Sequence, residues 1–317
     1  MINEIGMFVL GLFLLLLGGD SVIRGAAGLG QRLGLSPFAA GLLLVAFATS
    51  VPELVVNAYA FQHGQTDLAL GNAIGSNMVN IGLTLGLAAL VAPLLIRMRL
   101  LAAQIVFVLV ASGMVLLFGL DGSIARWEGG VLVAGFVGFL VFVFIRGRNE
   151  SPEIQAELAA HAVTSTNLVQ NLVRFAFAAA LLFFGSRLVV NAAPVIGLAI
   201  GMGPMLTGLT LVAVGTALPE IVVAMIAASK GQGDVVAGQV LGACLFNLLF
   251  IVGGMALLRP LPLPASFISL ELPAAMAFAL LLYPLLGGDL KISRREGGWL
   301  LLAFAIWLGY ELFTALA

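Results

Sequence analysis

The amino-acid sequence predicts an all-α membrane protein of ten transmembrane helices, arranged as two inverted five-helix repeats with both termini extracytoplasmic. Three observations predict it. The 317 residues are 62% hydrophobic and only 9% charged, where a soluble domain carries about 25% charged residues. Ten apolar runs come near the length of about 20 residues that spans a bilayer. A set of polar motifs recurs at one fixed offset of 167 residues.

The runs cover 5–30, 37–61, 67–92, 100–119, 127–146, 169–197, 204–229, 234–258, 268–286 and 297–315. Met1 to Glu4 offers no basic n-region, and the run that follows is longer than a signal-peptide core, so it reads as a retained first span. The one long polar interruption, 147–168, holds Arg148, Glu150, Glu153 and Glu157 just after Arg146. It divides the chain into a first repeat of five spans, 1–146, a linker, 147–168, and a second repeat of five spans, 169–317. Arg32, Arg97, Arg99, Arg146, Arg148, Arg174, Lys230, Lys291, Arg294 and Arg295 fall on the linker side, against Arg126 and Arg259 opposite. Positive charge gathers on the cytoplasmic side, so the linker is cytoplasmic and both termini face outward.

Adding 167 maps 37–86 onto 204–253 without a gap, with 19 identities in 50 positions. Shared apolar composition explains matches of Leu and Val but not the polar ones. Pro37 and Gly41-Leu42 match Pro204 and Gly208-Leu209. Thr49-x-x-Pro52-Glu53 matches Thr216-x-x-Pro219-Glu220, and Gly64-Gln65-x-Asp67 matches Gly231-Gln232-x-Asp234. Gly71, Gly75, Asn80 and Gly86 match Gly238, Gly242, Asn247 and Gly253. An odd number of spans separates the copies, so they are inverted. Inverted repeats mark secondary transporters with a midplane site.

Other classes find no support. A net charge of −1 without long basic tracts excludes a nucleic-acid partner. With only His63 and His161 there is no HExxH zinc motif, no GxSxG turn is present, and the single Cys244 forms no internal disulfide. The expectation is no enzyme, no cofactor and no obligatory protein partner, with the lipid bilayer as surroundings.

The chemistry concentrates at the repeated motifs. Glu53 and Glu220 lie halfway along their spans, where a carboxylate costs at least about 2.5–3.5 kcal/mol; a bound cation compensates it. Pro52 and Pro219 remove one helical hydrogen bond each and loosen the helix one turn before the glutamate. Thr49 and Thr216 add hydroxyls on the same face. Ser76 and Asn80 share a face, with Asn247 in the second half. Carboxylate, hydroxyl and carbonyl oxygens suit hard cations such as Ca²⁺ and Na⁺, and the lack of Cys and His argues against soft metals. Glycines 71, 75, 238 and 242 at four-residue spacing let spans 3 and 8 press against the broken helices.

Thr49-Ser-Val-Pro-Glu53 with Gly71-Asn-Ala-Ile-Gly-Ser-Asn-Met-Val-Asn80 resembles the first α-repeat of the cation/Ca²⁺ exchanger superfamily. Gly215-Thr-Ala-Leu-Pro-Glu220 with Gly242-Ala-Cys-Leu-Phe-Asn247 resembles the second. The similarity is greatest to prokaryotic sodium/calcium exchangers and covers essentially the whole chain. It implies a Ca²⁺ site bridged by Glu53 and Glu220, helped by Thr49 and Thr216. It also implies carbonyls of Ala46 and Ala213 at flanking Na⁺ sites, hydroxyls of Ser50 and Ser76, and amides of Asn80 and Asn247 in the middle. Long first and sixth spans that slide to alternate access are implied too, in a cytoplasmic (inner) membrane. The chain departs from the pattern where Ser50 pairs with Ala217 and Ser76 with Ala243, which thins the Na⁺ ligands. Ca²⁺/Na⁺ antiport is therefore the expected activity, with H⁺ as the alternative counter-ion and a cation channel further behind.

Blander readings stand beside these. For Asn80 and Asn247 the alternative is interhelical hydrogen bonding, worth roughly 0.6–2 kcal/mol; for Ser50 and Ser76 it is helix packing. Asp67 and Asp234 read as helix N-caps, Asp20 and Arg24 as an i,i+4 pair, Arg187 as a snorkelling side chain, and Glu271 and Glu311 as solvated residues near span ends.

Overall fold

An apolar run in lipid has no water for its backbone, so it closes its hydrogen bonds internally as a helix. The computed structural model describes residues 1–34, 40–41, 43, 47–97, 100–283 and 291–316, and there the runs are helical. In chain order the helices are α1 (Ile2–Arg32), α2 (Val51–Gln62), α3 (Thr66–Val91), α4 (Leu100–Gly119), α5 (Arg126–Gly147) and α6 (Pro152–His161). There follow α7 (Leu168–Ala199), α8 (Pro204–Thr216), α9 (Leu218–Ser229), α10 (Gly233–Leu258), α11 (Phe267–Leu280) and α12 (Arg294–Leu316). Among the described residues 7 helices are long and apolar enough to cross a membrane, or 8 if α8 and α9, bent by 45°, form one span. Pro37, Leu42, Ala46 and Arg99, with parts of the expected second and ninth spans, lie outside the described residues.

The sequence offset reappears in three dimensions. Adding 167 to the ends of α2 and α3 gives the ends of α9 and α10. Strand β1 (Leu94–Leu95) is likewise offset by 167 from β3 (Leu261–Pro262). β1 pairs antiparallel with β4 (Lys291–Ile292), and β2 (Ser123–Ile124) pairs with β3. Each short ribbon takes one strand from either side of residues 147–168, so the two halves are stitched together at both.

α3 and α10 form the centre, 78% and 83% buried over their apolar windows, whereas α1 and α7 are 28% and 33% buried. Glycines set the close contacts. A side chain at Gly71 would meet the carbonyl of Met205 and the Cα of Gly208, and one at Gly75 would lie on the backbone of Leu209. The backbones of α3 and α8 thus touch, as the glycine spacing predicts for Gly71 and Gly75. α1 and α7 run along each other the same way: a Cβ on Gly11 would meet the Gly185 carbonyl at 2.9 Å, and one on Gly18 would meet Leu182 at 2.8 Å. Their other faces expose Val9, Phe13, Phe177 and Phe183, the apolar surface a lipid-facing helix presents.

The linker is folded onto this body. Ser151 caps α6 by accepting from the Ile154 N–H. Arg97 Nη2 donates to Glu157 Oε2 at 2.9 Å, while its own N–H and Nε donate to Asp234 at 2.7 and 3.2 Å. The carbonyl of Leu158 occupies the space a side chain on Gly41 would need. Gln31 Nε2 donates to the Ala162 carbonyl at 2.6 Å, which ties α1 to the end of α6. Burial pushes the Glu157 carboxyl up, against the lowering effect of Arg97.

The structure corrects two expectations. Asp67 and Asp234 are not N-caps: Gln65 and Gln232 hold those positions, and both aspartates stand inside the first turn. There Asp234 receives Arg97, a contact between distant segments that no local pattern encodes. Glu271 and Glu311 are not solvated but 4% and 5% exposed. α12 continues past Glu311 to Leu316, and its inner face packs on α11 through Phe278 and Trp307, whose ring centroids are 6.2 Å apart. Trp307 Nε1 donates to Glu311 Oε1 at 3.1 Å. Asp20 and Arg24 do pair, at 2.8 Å, and Arg187 stands exposed on α7.

Two predictions follow from these contacts. Arg97→Ala removes a partly buried ion pair worth up to about 1 kcal/mol, so amide exchange across α6 should quicken severalfold while α3 and α10 keep their protection. Unchanged exchange would show that the arginine does not hold the linker. Gly71→Leu forces α3 and α8 apart, and overpacking of that kind costs about 1–3 kcal/mol. Thermal unfolding in detergent should come several degrees earlier, whereas Gly138→Leu, at a position facing open space, should leave it in place.

Candidate cation site

The prolines do more than loosen a helix. Pro52 and Pro219 are the second residues of α2 and α9, within the first turn, where a missing N–H leaves no helical hydrogen bond unmade and the fixed φ suits the start of a helix. A tight turn over Ala48–Ser50 precedes α2, and the 45° bend at Ala217 precedes α9. Each span is therefore broken and restarted. Glu53 and Glu220 land in the first turn of a new helix, whose positive dipole end favours a carboxylate.

Both carboxyls are enclosed, Glu53 at 1% exposure and Glu220 at 0%. Glu53 faces Glu220 and Thr216, and Ser50 Oγ donates to Glu220 Oε1 at 3.2 Å. Both oxygens of Glu53 and Oε2 of Glu220 have no hydrogen-bond partner in the protein. The same holds for Thr49 Oγ1, Ser76 Oγ, Asn80 Oδ1 and Asn247 Oδ1, all buried. Among the described residues no Lys or Arg is ion-paired with either glutamate. No group of three or more His, Cys, Asp and Glu side chains gathers among them either. Two carboxylates among neutral hydroxyl and amide oxygens make a shell for a hard cation, and a buried polar atom left unpaired is costly enough to need such a partner.

The elements that carry these atoms pack on one another. Asn80 lies in a widened, π-type stretch of α3, Val79–Thr84, and Asn247 in its counterpart in α10, Phe246–Val252. Each stretch begins one residue before its asparagine. Such widened turns interrupt the regular ladder and recur at functional sites. The stretch with Asn80 packs on α9, and the one with Asn247 packs on α2. Ser76 sits one turn before Asn80, beside the Gly75 contact with α8. Thr216 and Ala213 end α8; Thr216 Oγ1 lies 3.5 Å from the Ala213 carbonyl. Ala46 lies outside the described residues.

Four buried amides belong to the surroundings of the site and escaped the sequence reading. Thr216 Oγ1 donates to Asn72 Oδ1 at 3.3 Å, and Asn72 Nδ2 donates to Asn57 Oδ1 at 3.1 Å. Gln239 Nε2 donates to the Glu220 carbonyl at 3.1 Å, and Asn247 Nδ2 to Asn77 Oδ1 at 3.1 Å. A signal for two of them was present: Asn72 and Gln239 are 167 residues apart and each follows a repeated glycine. Asn57 and Asn77 face Ala224 and Cys244 across the repeat, so symmetry could not reveal them.

With the fold and these contacts in place, comparisons with known proteins give one answer. The family model described as "Sodium/calcium exchanger protein" matches the chain twice, over residues 3–145 and 170–313. CaxA of Alkalimonas amylolytica, whose name marks it as a candidate antiporter, is 35% identical over 96% of this chain and 97% of its own. The sodium/calcium exchanger MaX1 of Methanosarcina acetivorans is 26% identical over 95% of this chain and 96% of its own. A solved structure of the sodium-calcium exchanger NCX_Mj superposes with a TM-score of 0.68 at 30% identity, covering 98% of each chain. These relatives are ion transporters, not enzymes. The chain belongs to the sodium/calcium exchanger protein family.

Proposed function

We propose that this chain exchanges Ca²⁺ for Na⁺ across a cytoplasmic membrane by alternating access, at one midplane site centred on Glu53 and Glu220. The observation that carries the reading is the set of buried, unpartnered oxygens on the elements that hold two carboxylates, neither of them ion-paired among the described residues. A charge of −2 matches one Ca²⁺ or its replacement by monovalent ions. Thr49, Thr216, Ser50, Ser76, Asn80 and Asn247 supply neutral oxygens, and the carbonyls of Ala213 and Ala46 extend the shell. The names of MaX1 and NCX_Mj point to the same pair of ions, and Escherichia coli YrbG, 30% identical, is named as an inner membrane protein.

The architecture in this reading is ten spans in two inverted halves, 1–146 and 169–317, joined by a cytoplasmic linker at 147–168, with both termini outside. Two separate matches to one family model and helix ends that recur at an offset of 167 support the duplication. Alternating access needs one part to move past another. α1 and α7 are the parts suited to it: long, peripheral and in close mutual contact at glycines.

Two measurements test this. In proteoliposomes with pH clamped on both sides, an outward Na⁺ gradient should drive ⁴⁵Ca²⁺ uptake. Uptake that ignores Na⁺ and follows a pH gradient would replace Na⁺ by H⁺. Glu53→Gln and Glu220→Gln should each reduce Ca²⁺ uptake to background while the protein still elutes as a folded species, since each leaves a single carboxylate for a divalent ion. Near-normal uptake by either variant would refute the site.

A further inference from the structure

Asn247 is fully buried, and its amide is used at one end only. Nδ2 donates to Asn77 Oδ1 across the crossing of α3 and α10, while Oδ1 has no partner in the protein. A primary amide presents opposite dipole ends on its two atoms, so a ligand amide that turns over offers a cation an N–H instead of an oxygen. Asn77, 3% exposed, opposes that turn. A flipped Asn247 would set its Oδ1 against the Oδ1 of Asn77 and lose the hydrogen bond.

The repeat does not supply this device twice. The residue 167 positions after Asn77 is Cys244, a buried free thiol, which is a weak hydrogen-bonding group. Asn80, the counterpart of Asn247, thus has no amide in the corresponding place. One asparagine of the symmetric pair is locked and the other is not.

We propose that Asn77 is a positioning residue for ion binding: it holds the Asn247 amide with its oxygen toward the cation and thereby sets the affinity of the central site. This rests on the reading of Asn247 as a ligand. Asn77 acts through Asn247 and not on the ion. Its effect falls on half-saturation rather than on maximal turnover.

The test is the Ca²⁺ concentration dependence of uptake in proteoliposomes for Asn77→Ala, Asn77→Asp, Asn247→Ala, Asn247→Asp and the double variants. Asn77→Ala should raise half-saturating Ca²⁺ by about tenfold, the scale of one lost orienting hydrogen bond at a buried group, with maximal rate kept. In the Asn247→Asp background the same change should have little effect, because a carboxylate presents an oxygen whichever way it turns. Asn77→Asp should behave oppositely. It keeps an acceptor for the Asn247 amide and is tolerated alone, but it sets two carboxylates face to face when combined with Asn247→Asp and weakens binding there. An equal effect of Asn77→Ala in both backgrounds would reduce Asn77 to packing and overturn the proposal. An Asn247→Ala variant with unchanged half-saturation would instead remove Asn247 from the site, and the proposal would fall with that assignment. Should Asn77→Ala not fold, the Asn77→Asp pair decides: tolerance in both backgrounds, or loss in both, overturns the proposal.

Discussion

Two carboxylates enclosed in an apolar protein, facing each other with no basic residue ion-paired to either, form the constraint to which the rest of the molecule answers. Like charges so placed repel, and each has given up its water. Every nearby feature lowers that cost. Pro52 and Pro219 restart their helices so that each glutamate sits over free N–H groups at a helix N-terminus. Ser50, from the opposite half, donates its hydroxyl to Glu220. Glycines bring α3 against α8 with backbone on backbone, which keeps water out and the shell small. In the proposed function a cation completes what the protein leaves open.

The duplication builds both halves of this site, but the halves are not identical. Ser50 faces Ala217 and Ser76 faces Ala243 across the repeat, so hydroxyls are richer in the first half. Thr216 is tied to Asn72, whereas Thr49 Oγ1, its counterpart, is buried without a partner, as is Gln239 Oε1. A site that alternates between two sides of a membrane needs no exact symmetry.

Much of this was legible in the sequence. Outside the second and ninth runs, apolar length placed the described helices to within a few residues, because a bilayer leaves the backbone few other ways to satisfy its polar groups. The fixed offset exposed Glu53, Glu220, Thr49, Thr216, Asn80 and Asn247, since polar identities inside apolar spans have few other causes. What stayed hidden depends on contacts between distant segments. Asn57 and Asn77 have no polar counterpart at the offset, and Asn72 and Gln239 differ in type. Glu311 looked like a residue at a span end because hydropathy does not tell which face of a helix meets its neighbour.

The linker joins these threads. Its helix, α6, leans on Gly41 in the second span, its end is tied to α1 by Gln31, and Arg97 clamps it to Asp234 at the start of α10. Those partners belong to different groups: α10 is in the buried centre, and α1 is in the exposed pair suited to motion. If α1 moves past the centre as the proposed function requires, the linker's contacts span the two parts and enter the balance between their arrangements. Two of its attachments are made by polar side chains, Gln31 and Arg97, each worth little by itself. The polar interruption that first divided the sequence in two is, in the folded protein, a segment packed onto the body, beside the Arg97–Asp234 contact that joins the halves.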